Sequence, residues 1–273
     1  MPPMADRTTD RTAASGAGRY PLRNSSDREG TRLKLLEQLS DPATVAGFEA
    51  LGVGLGWQCA ELGAGGGSMV QWLSEHVGGG GSVTAVDRDT TQLRALETAH
   101  PNVRLVEGDL CTLALPPDSF DLVHSRSVLM HLECPERVVA EALSALRPGG
   151  WVFFEETDGA PAQELADPPR PFAQVMVPIA APWRFARGLA GLLESLGMTE
   201  VRDDVSEYRL VGGTPYAAFW RYTLGSVSEM IRTGGIAEPA FEVALAQMTA
   251  LLDDPSFSVP FTVRHRVRAR RPG

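Results

Sequence analysis

Residues 57–67 read Trp-Gln-Cys-Ala-Glu-Leu-Gly-Ala-Gly-Gly-Gly. The apolar run that ends at Glu61 predicts a strand, and the glycines predict a tight turn, because glycine adopts positive φ at little cost. Apolar residues then recur at helical spacing from Met69 to Leu73. A helix that starts after such a turn leaves backbone N–H groups unpaired, and these favour an anionic or polar ligand. The stretch therefore predicts a site for a nucleotide-like cofactor.

Strands and helices alternate from Trp57 onward. The predicted strands are 57–62, 82–87, 102–107, 119–124 and 150–156, and the predicted helices are 68–77, 89–98 and 135–146. This alternation predicts an α/β fold in which helices cover both faces of a parallel sheet. Ligands of such sheets bind at the carboxyl ends of the strands.

The remaining segments differ in character. Residues 1–18 lack apolar periodicity and predict a disordered tail, whereas 19–56 predict an N-terminal cap of two helices, the second beginning at Asp41 and Pro42. The core is predicted to span 57–273. Its lid segments over the site are predicted at 157–183 and 215–252, the latter as helices 215–233 and 238–252. A helix at 184–196 and strands at 200–211 and 258–269, the last ending in an arginine-rich tail, complete the core.

Composition limits the class of protein. The net charge of −9 argues against a nucleic-acid partner, because duplex binders usually present a basic face. No apolar run approaches a membrane span and no apolar signal core starts the chain, so we expect a cytoplasmic protein. Cys59, Cys111 and Cys134 are odd in number, which argues against a disulfide scaffold. Lys34 is the only lysine, and this bias towards arginine indicates a bacterial genome rich in G and C.

Several motifs follow the glycine turn in a fixed order. Asp87 ends a strand about 20 residues beyond the glycines, the spacing at which a carboxylate can bind a ribose diol. Gly108-Asp109-Leu110 closes the next strand, Ser125-Arg126 closes the one after it, and Pro148-Gly149-Gly150 breaks the chain before the fifth. The glycine turn alone leaves both NAD and S-adenosylmethionine open as the cofactor.

Taken in this order, the motifs resemble those of the class I S-adenosylmethionine-dependent methyltransferases. The resemblance is strongest over 57–156 and points to the bacterial small-molecule branch, which includes ubiquinone/menaquinone-type and natural-product enzymes. It implies a Rossmann-like, seven-stranded, mostly parallel sheet with helices on both faces and an antiparallel last strand. It also implies S-adenosylmethionine as cofactor, S-adenosylhomocysteine as product, and no metal.

The resemblance implies a set of cofactor-binding residues. Glu61 and the glycine turn would hold the methionine portion, Asp87 the ribose hydroxyls, and Asp109 the adenine amino group. A structural alternative, a strand-end cap, stays open for both aspartates. The full set is Tyr20, Glu61, Gly63, Ala64, Gly65, Gly67, Asp87, Arg88, Gly108, Asp109, Leu110, Ser125 and Arg126.

The acceptor half of the site carries weaker signals. His131 is the candidate general base, although a packing role is open. The candidate acceptor-binding residues are Glu155, Asp158, Phe172, Met176, Trp183, Trp220 and Tyr222. The apolar and aromatic character of the variable segments 157–183 and 215–233 favours a small aromatic or hydrophobic acceptor. With the resemblance, this predicts a metabolite of bacterial secondary metabolism, methylated at carbon, nitrogen (an indole-type scaffold is one option) or oxygen.

Two rival functions and one question of assembly stay open. The rivals are an NAD(P)-linked oxidoreductase and a non-methylating protein built on a methyltransferase fold. An antiparallel terminal strand pair would favour a methyltransferase, because a dehydrogenase usually continues with parallel units. The N-terminal helices can pack either on their own core or on a second copy of the chain.

Overall fold

The computed structural model of the protein describes residues 27–233 and 239–273. The helices are α1 (Asp27–Leu51), α2 (Ser68–Val77), α3 (Arg94–Ala99), α4 (Pro135–Ala145), α5 (Ala160–Gln163), α6 (Arg170–Ala180), α7 (Leu189–Ser195), α8 (Pro215–Thr233) and α9 (Pro239–Asp253). The strands are β1 (Gln58–Leu62), β2 (Ser82–Asp87), β3 (Val103–Glu107), β4 (Phe120–Arg126), β5 (Leu146–Asp158), β6 (Thr199–Val211) and β7 (Ser258–Arg270). Single 3-10 turns lie at Thr91–Leu93, Leu129–His131 and Ala186–Gly188.

The strands form one sheet in the order β3-β2-β1-β4-β5-β7-β6. Strands β1 to β5 pair in parallel, whereas β7 runs antiparallel to both β5 and β6. The predicted fold class and the antiparallel last strand are therefore confirmed. The strand order reverses between β1 and β4, and ligands of open α/β sheets bind at such a switch point.

Apolar stripes explain how the helices cover the sheet. Helix α2 buries Met69, Val70, Leu73 and Val77, which recur at helical spacing and pack on one face together with Phe48 of α1. Helix α4 starts with a proline and buries Val138, Val139, Ala142 and Ala145 on the other face, where α7 also packs. A third apolar cluster joins α6, α8 and α9 to strands β6 and β7.

The N-terminal cap differs from the prediction. The structure contains one helix, α1, that continues through Pro42, so the predicted second helix starting at Asp41 is wrong. The Asp41 carboxylate does not cap a helix, because it accepts a hydrogen bond from Ser68 Oγ and forms an ion pair with Arg126. The predicted tail 1–18 and Tyr20 lie outside the described residues.

The cysteines also differ from the prediction. Cys111 and Cys134 form a disulfide, with their Cα atoms 5.9 Å apart, whereas Cys59 is a free, buried thiol. Cys111 follows β3 and Cys134 precedes α4, so the pairing depends on how the sheet brings two loops together. Sequence spacing carries no such information. Within the described ranges, no helix combines the length and the apolar character needed to cross a bilayer.

Candidate active site

A cavity of about 890 Å³ opens at the carboxyl ends of the central strands. We distinguish two halves of it. The strand-end half is lined by Glu61, Gly63, Ala64, Gly65, Gly66, Asp87, Arg88, Gly108, Asp109 and Leu110. The aromatic half is lined by Trp183, Tyr208, Tyr216, Phe219 and Trp220, together with Thr157, Thr262 and Arg264. One continuous cavity therefore joins the loops of the parallel strands to the helices that cover β6 and β7.

The glycine turn is held against the neighbouring strand. The N–H groups of Gly63 and Ala64 both donate to the carbonyl of Val86, over 2.8 and 3.1 Å. Gly63 has φ +73°, and a Cβ at this position would overlap the Val128 side chain. Glycine is required here both by the backbone conformation and by the close approach of the loop that follows β4.

Asp87 and Asp109 lie at the ends of neighbouring strands and organise the strand-end half. Asp87 Oδ2 accepts a hydrogen bond from the Gly65 N–H over 2.8 Å. Asp109 Oδ2 accepts one from Arg88 Nη2 over 2.7 Å, and its other oxygen accepts one from the Cys111 N–H. The hydrogen bonds from Arg88 and Cys111 lower the pKa of Asp109. Both aspartates therefore present acceptor oxygens where polar hydroxyl or amino groups of a ligand would lie.

Glu61 belongs to a buried network of charged side chains. His124 of β4 is fully buried, and its Nδ1 and Nε2 atoms lie 2.6 Å from Glu61 Oε2 and 3.3 Å from Glu155 Oε1. Burial alone would lower the pKa of His124, but the negative charge of Glu61 and the hydrogen bonds to both acids raise it to about 9. Thr44 Oγ1 and Arg266 Nε also donate hydrogen bonds to the Glu155 carboxylate. The imidazolium thus holds the Glu61 carboxylate in place at the cavity wall.

The loop after β4 reaches the cavity through a strained residue. Ser127 has φ +58°, and its Oγ is buried without a partner among the described residues, although the residue lines the cavity. The Glu156 carboxylate accepts hydrogen bonds from the backbone N–H groups of the three residues that follow Ser127, namely Val128, Leu129 and Met130. Burial raises the pKa of Glu156 to about 7, against the lowering effect of these hydrogen bonds. Glu156 therefore anchors the loop that carries Ser127 to the cavity.

His131 lies at the end of the same loop and lines the cavity. Its ring contacts the Trp183 ring edge-on at a centroid distance of 6.2 Å. Burial and the nearby charge of Arg32 lower its pKa to about 4. The imidazole is therefore neutral near pH 7, the form that can accept a proton, but it is a weak base.

The predicted site residues divide into three groups in the structure. Those at the cavity are Glu61, Gly63, Ala64, Gly65, Asp87, Arg88, Gly108, Asp109, Leu110, Arg126, His131, Trp183 and Trp220. Those away from its lining are Gly67, Ser125, Glu155, Asp158, Phe172, Met176 and Tyr222. Tyr20 lies outside the described residues.

Each displaced residue has a local reason. Gly67 packs against Leu96, where a Cβ would overlap it, and Ser125 is fully buried beneath the loop that carries Ser127. Glu155 belongs to the His124 network. Asp158 Oδ1 and Oδ2 each accept a hydrogen bond from Arg187 over 2.7 Å.

The displaced aromatic candidates and Met176 are packing residues or lie at the surface. Phe172 and Met176 are fully buried in the cluster of α6, α8 and α9. Tyr222 is 37% exposed on α8.

Several lining residues carried no sequence signal. Helix α1 contributes Arg32, Leu33, Glu37 and Ser40, and the aromatic half gains Tyr208, Tyr216, Phe219 and Arg264. The arginine at 264 resembled part of a basic tail in the sequence. Its place on β7, opposite Thr157 of β5, follows from strand register.

Comparisons with known proteins agree with this geometry. A methyltransferase domain family matches residues 60–154, which span the glycine turn to the end of the fifth strand. The ubiquinone biosynthesis O-methyltransferase of Albidiferax ferrireducens is 34% identical over 112 residues, or 39% of this chain and 43% of that protein. The chain thus spans less than half the length of this curated relative.

Solved structures share the fold at low identity. Phosphoethanolamine N-methyltransferase 2 of Haemonchus contortus superposes with a TM-score of 0.52 at 18% identity, covering 89% of this chain and 52% of that one. The [4+2]-cyclase SpnF gives 0.53 at 19% identity, covering 86% and 82%. Residues 60–154 thus match a methyltransferase domain, and the solved structures share the Rossmann-like fold of the whole sheet.

Proposed function

We propose that the protein transfers a methyl group from S-adenosylmethionine to a small aromatic or hydrophobic metabolite. The observation that carries the proposal is the continuity of the cavity, which joins the strand-end half directly to the aromatic half. A methyl donor bound at the first would face an acceptor bound at the second. Alignment of the two reactants and exclusion of water would then supply much of the rate acceleration.

The residues present suit the cofactor of this family. Asp87 and Asp109 offer carboxylate oxygens to hydroxyl and amino groups, and Glu61 offers a carboxylate to a cationic amine. S-adenosylmethionine, when bound, supplies a methyl group on an excellent leaving group. The chain's own contribution is to position the reactants and to keep water out.

The aromatic half supports a flat, apolar acceptor. Trp183 and Trp220 lie 5.7 Å apart between ring centroids, and the Trp220 ring packs edge-on against Phe261 at 4.9 Å. Aromatic walls of this kind favour flat, apolar ligands. The neutral His131 imidazole at the same cavity is the candidate proton acceptor for an oxygen or nitrogen nucleophile. We infer a small-molecule acceptor on these grounds, and its place in bacterial secondary metabolism is proposed from the resemblance of the motifs alone.

Calorimetry with S-adenosylhomocysteine and NADH tests the donor half. We expect S-adenosylhomocysteine to bind and NADH not to. Asp87→Asn should weaken binding at least about ten-fold, since a hydrogen bond to a charged group contributes about 1.5–3 kcal/mol. The matched control is Asp118→Asn, at an exposed aspartate paired with Arg271 and outside the cavity. Binding of NADH alone would instead support an oxidoreductase.

Transfer itself is tested separately. Incubation with methyl-labelled S-adenosylmethionine and a panel of phenols, indoles and aromatic amines should label at least one small molecule. Tight cofactor binding without transfer to any member of a broad panel would favour a non-methylating protein on the same fold.

A further inference from the structure

Arg264 stands out among the residues of the aromatic half. It lies on β7 opposite Thr157 of β5, is half-buried, and lines the cavity. Its guanidinium makes two long hydrogen bonds to neutral hydroxyls, from Nη1 to Ser40 Oγ at 3.3 Å and from Nη2 to Thr157 Oγ1 at 3.5 Å. Its Cζ lies 6.0 Å above the ring of Tyr208. Throughout the part of the chain that the structure describes, no carboxylate forms an ion pair with it.

The neighbouring arginines are different. Three of them line the cavity or lie beside it, and each is paired with a carboxylate: Arg32 with Glu29, Arg126 with Asp41, and Arg266 with Glu155. Arg266 follows Arg264 by two residues on the same face of β7, so the two share backbone setting and side-chain type. What differs is that Arg266 has a directly bonded carboxylate and Arg264 does not.

Among the described residues, the two nearby acids are bonded to other partners and form no ion pair with Arg264. Glu155 is held by His124, Thr44 and Arg266, and Glu156 by three backbone N–H groups. The charge of Arg264 does help to lower the pKa of both acids, but Arg264 lacks the directly hydrogen-bonded carboxylate that each neighbouring arginine has. A ligand carboxylate at the guanidinium would supply that direct partner, with charge-assisted hydrogen bonds in place of the long ones to Ser40 and Thr157.

The surroundings specify the kind of anion. The guanidinium presents a planar fork of N–H donors, which matches the two oxygens of a carboxylate. Thr157, Thr262 and Tyr216 place hydroxyl groups at the same cavity, and Tyr216 Oη lies 3.0 Å from Thr262 Oγ1. Aromatic rings form the remaining walls. The pocket thus combines one cation, several hydroxyls and flat apolar surfaces.

We propose that Arg264 binds a carboxylate of the acceptor, so that the substrate class is an aromatic acid. This proposal rests on the proposed function, because it assumes that the methyl acceptor binds in the aromatic half. Arg264 then selects the acceptor by charge and fixes its orientation, with the carboxylate at β7 and the ring between the aromatic side chains.

Paired ligands that differ only in charge test this proposal. The probes are 3,4-dihydroxybenzoate and 3-hydroxy-2-naphthoate, each compared with its primary amide. Calorimetric titrations are run with and without saturating S-adenosylhomocysteine. In the wild-type protein we expect at least one acid to bind about ten-fold or more tightly than its amide, as expected for a hydrogen-bonded charge pair. Arg264→Gln should remove the preference, and Arg264→Lys should keep part of it.

The controls separate this proposal from the fold and from the donor half. Arg209→Gln removes an exposed arginine of β6 that bonds to Ser258 outside the cavity, and should leave the acid-to-amide ratio unchanged. Arg264→Gln should keep its affinity for S-adenosylhomocysteine. Failure of the wild type to bind S-adenosylhomocysteine would count against the proposed function.

The role of Arg264 is judged on the acids and amides alone. It is overturned if no acid binds the wild type, if acids and amides bind equally, or if the preference survives in Arg264→Gln.

Discussion

The Nδ1 atom of His124 lies 2.6 Å from Oε2 of Glu61, and both residues are buried. His124 lies within strand β4, and Glu61 lies at the end of β1 beside the glycine turn, so the contact joins the two central strands beneath the cavity. The chain therefore keeps a cation under the very carboxylate that faces the predicted cofactor.

Replacing His124 should be strongly destabilising. His124→Asn leaves Glu61 and Glu155 without their shared cation, and breaking a buried ion pair in this way costs about 3–5 kcal/mol. Urea denaturation measures the loss in the free energy of unfolding. Adding Glu61→Gln to His124→Asn should recover part of it, because one unpaired charge is removed. A single variant within about 1 kcal/mol of wild type would contradict the assigned role of the imidazolium.

The same residue predicts a pH dependence. The pKa of His124 is about 9 in the folded protein against a usual 6.5, so the folded state binds the proton more tightly. This contribution to stability is fully present below about pH 6.5 and is lost as the pH rises through about 9. Unfolding curves at pH 6.5, 8 and 9.5 should show the decline in wild type and a smaller one in His124→Asn. An equal decline of the free energy of unfolding in the two proteins would contradict the prediction.

The raised pKa of Glu156 predicts a second pH dependence of stability, at lower pH than that of His124. The folded pKa of Glu156 is raised to about 7, so ionisation disfavours the folded state as the pH rises from about 4.5 through 7. Glu156→Gln stays neutral, although it replaces one acceptor of the N–H groups of the loop. Between pH 5 and 8, the free energy of unfolding of this variant should therefore improve relative to wild type by roughly 1–3 kcal/mol. Glu49→Gln, at an exposed glutamate of α1, is the control and should show no such trend.

The disulfide predicts a redox-dependent stability. Cys111 and Cys134 are 23 residues apart in sequence, and closing a loop of this size stabilises a protein by about 2–4 kcal/mol. The double variant Cys111→Ser/Cys134→Ser should be less stable than the oxidised wild type by this amount, and dithiothreitol should abolish the difference. Thiol titration of the denatured, oxidised protein should find Cys59 alone. Detection of all three thiols after air oxidation would refute the pairing.

Gly63 offers a steric test of the turn. Alanine there meets both a positive φ and the Val128 side chain, so Gly63→Ala should cost about 2–4 kcal/mol and abolish binding of S-adenosylhomocysteine. Gly79→Ala is the matched control, because a Cβ at that position meets nothing within 4 Å. Thermal unfolding and calorimetry measure both effects. Equal behaviour of the two variants would show that the turn tolerates a side chain.

Local pattern was enough to predict much of the fold. Helix 68–77 and strand 82–87 have the bounds that their apolar periodicity predicted, because each buries a single stripe or face against the sheet. The antiparallel last strand was also predictable, because the motifs resemble those of a family whose sheet ends in an antiparallel strand. A helix or strand that buries one regular stripe or face shows its apolar periodicity within a short stretch of sequence.

The unpredicted features depend on contacts between distant residues. His124 has no local sign of its acidic partners, Cys111 meets Cys134 only through the packing of two loops, and Ser127 replaces Ser125 at the cavity because the chain turns through positive φ there. Arg264 belongs to a basic run in the sequence, and only the register of β7 places it opposite Thr157. Tertiary partners of this kind are set by topology rather than by periodicity.

Helix α1 has a consequence for ligand exchange. It places Leu33 and Glu37 beside the glycine turn, and Arg32 and Ser40 beside the aromatic half. It is also tied to the core through Asp41 and Thr44. A single helix thus walls both compartments, so any displacement of α1 that releases one ligand also uncovers the other. Under the proposed function, the spent cofactor and the methylated product would therefore leave past the same helix.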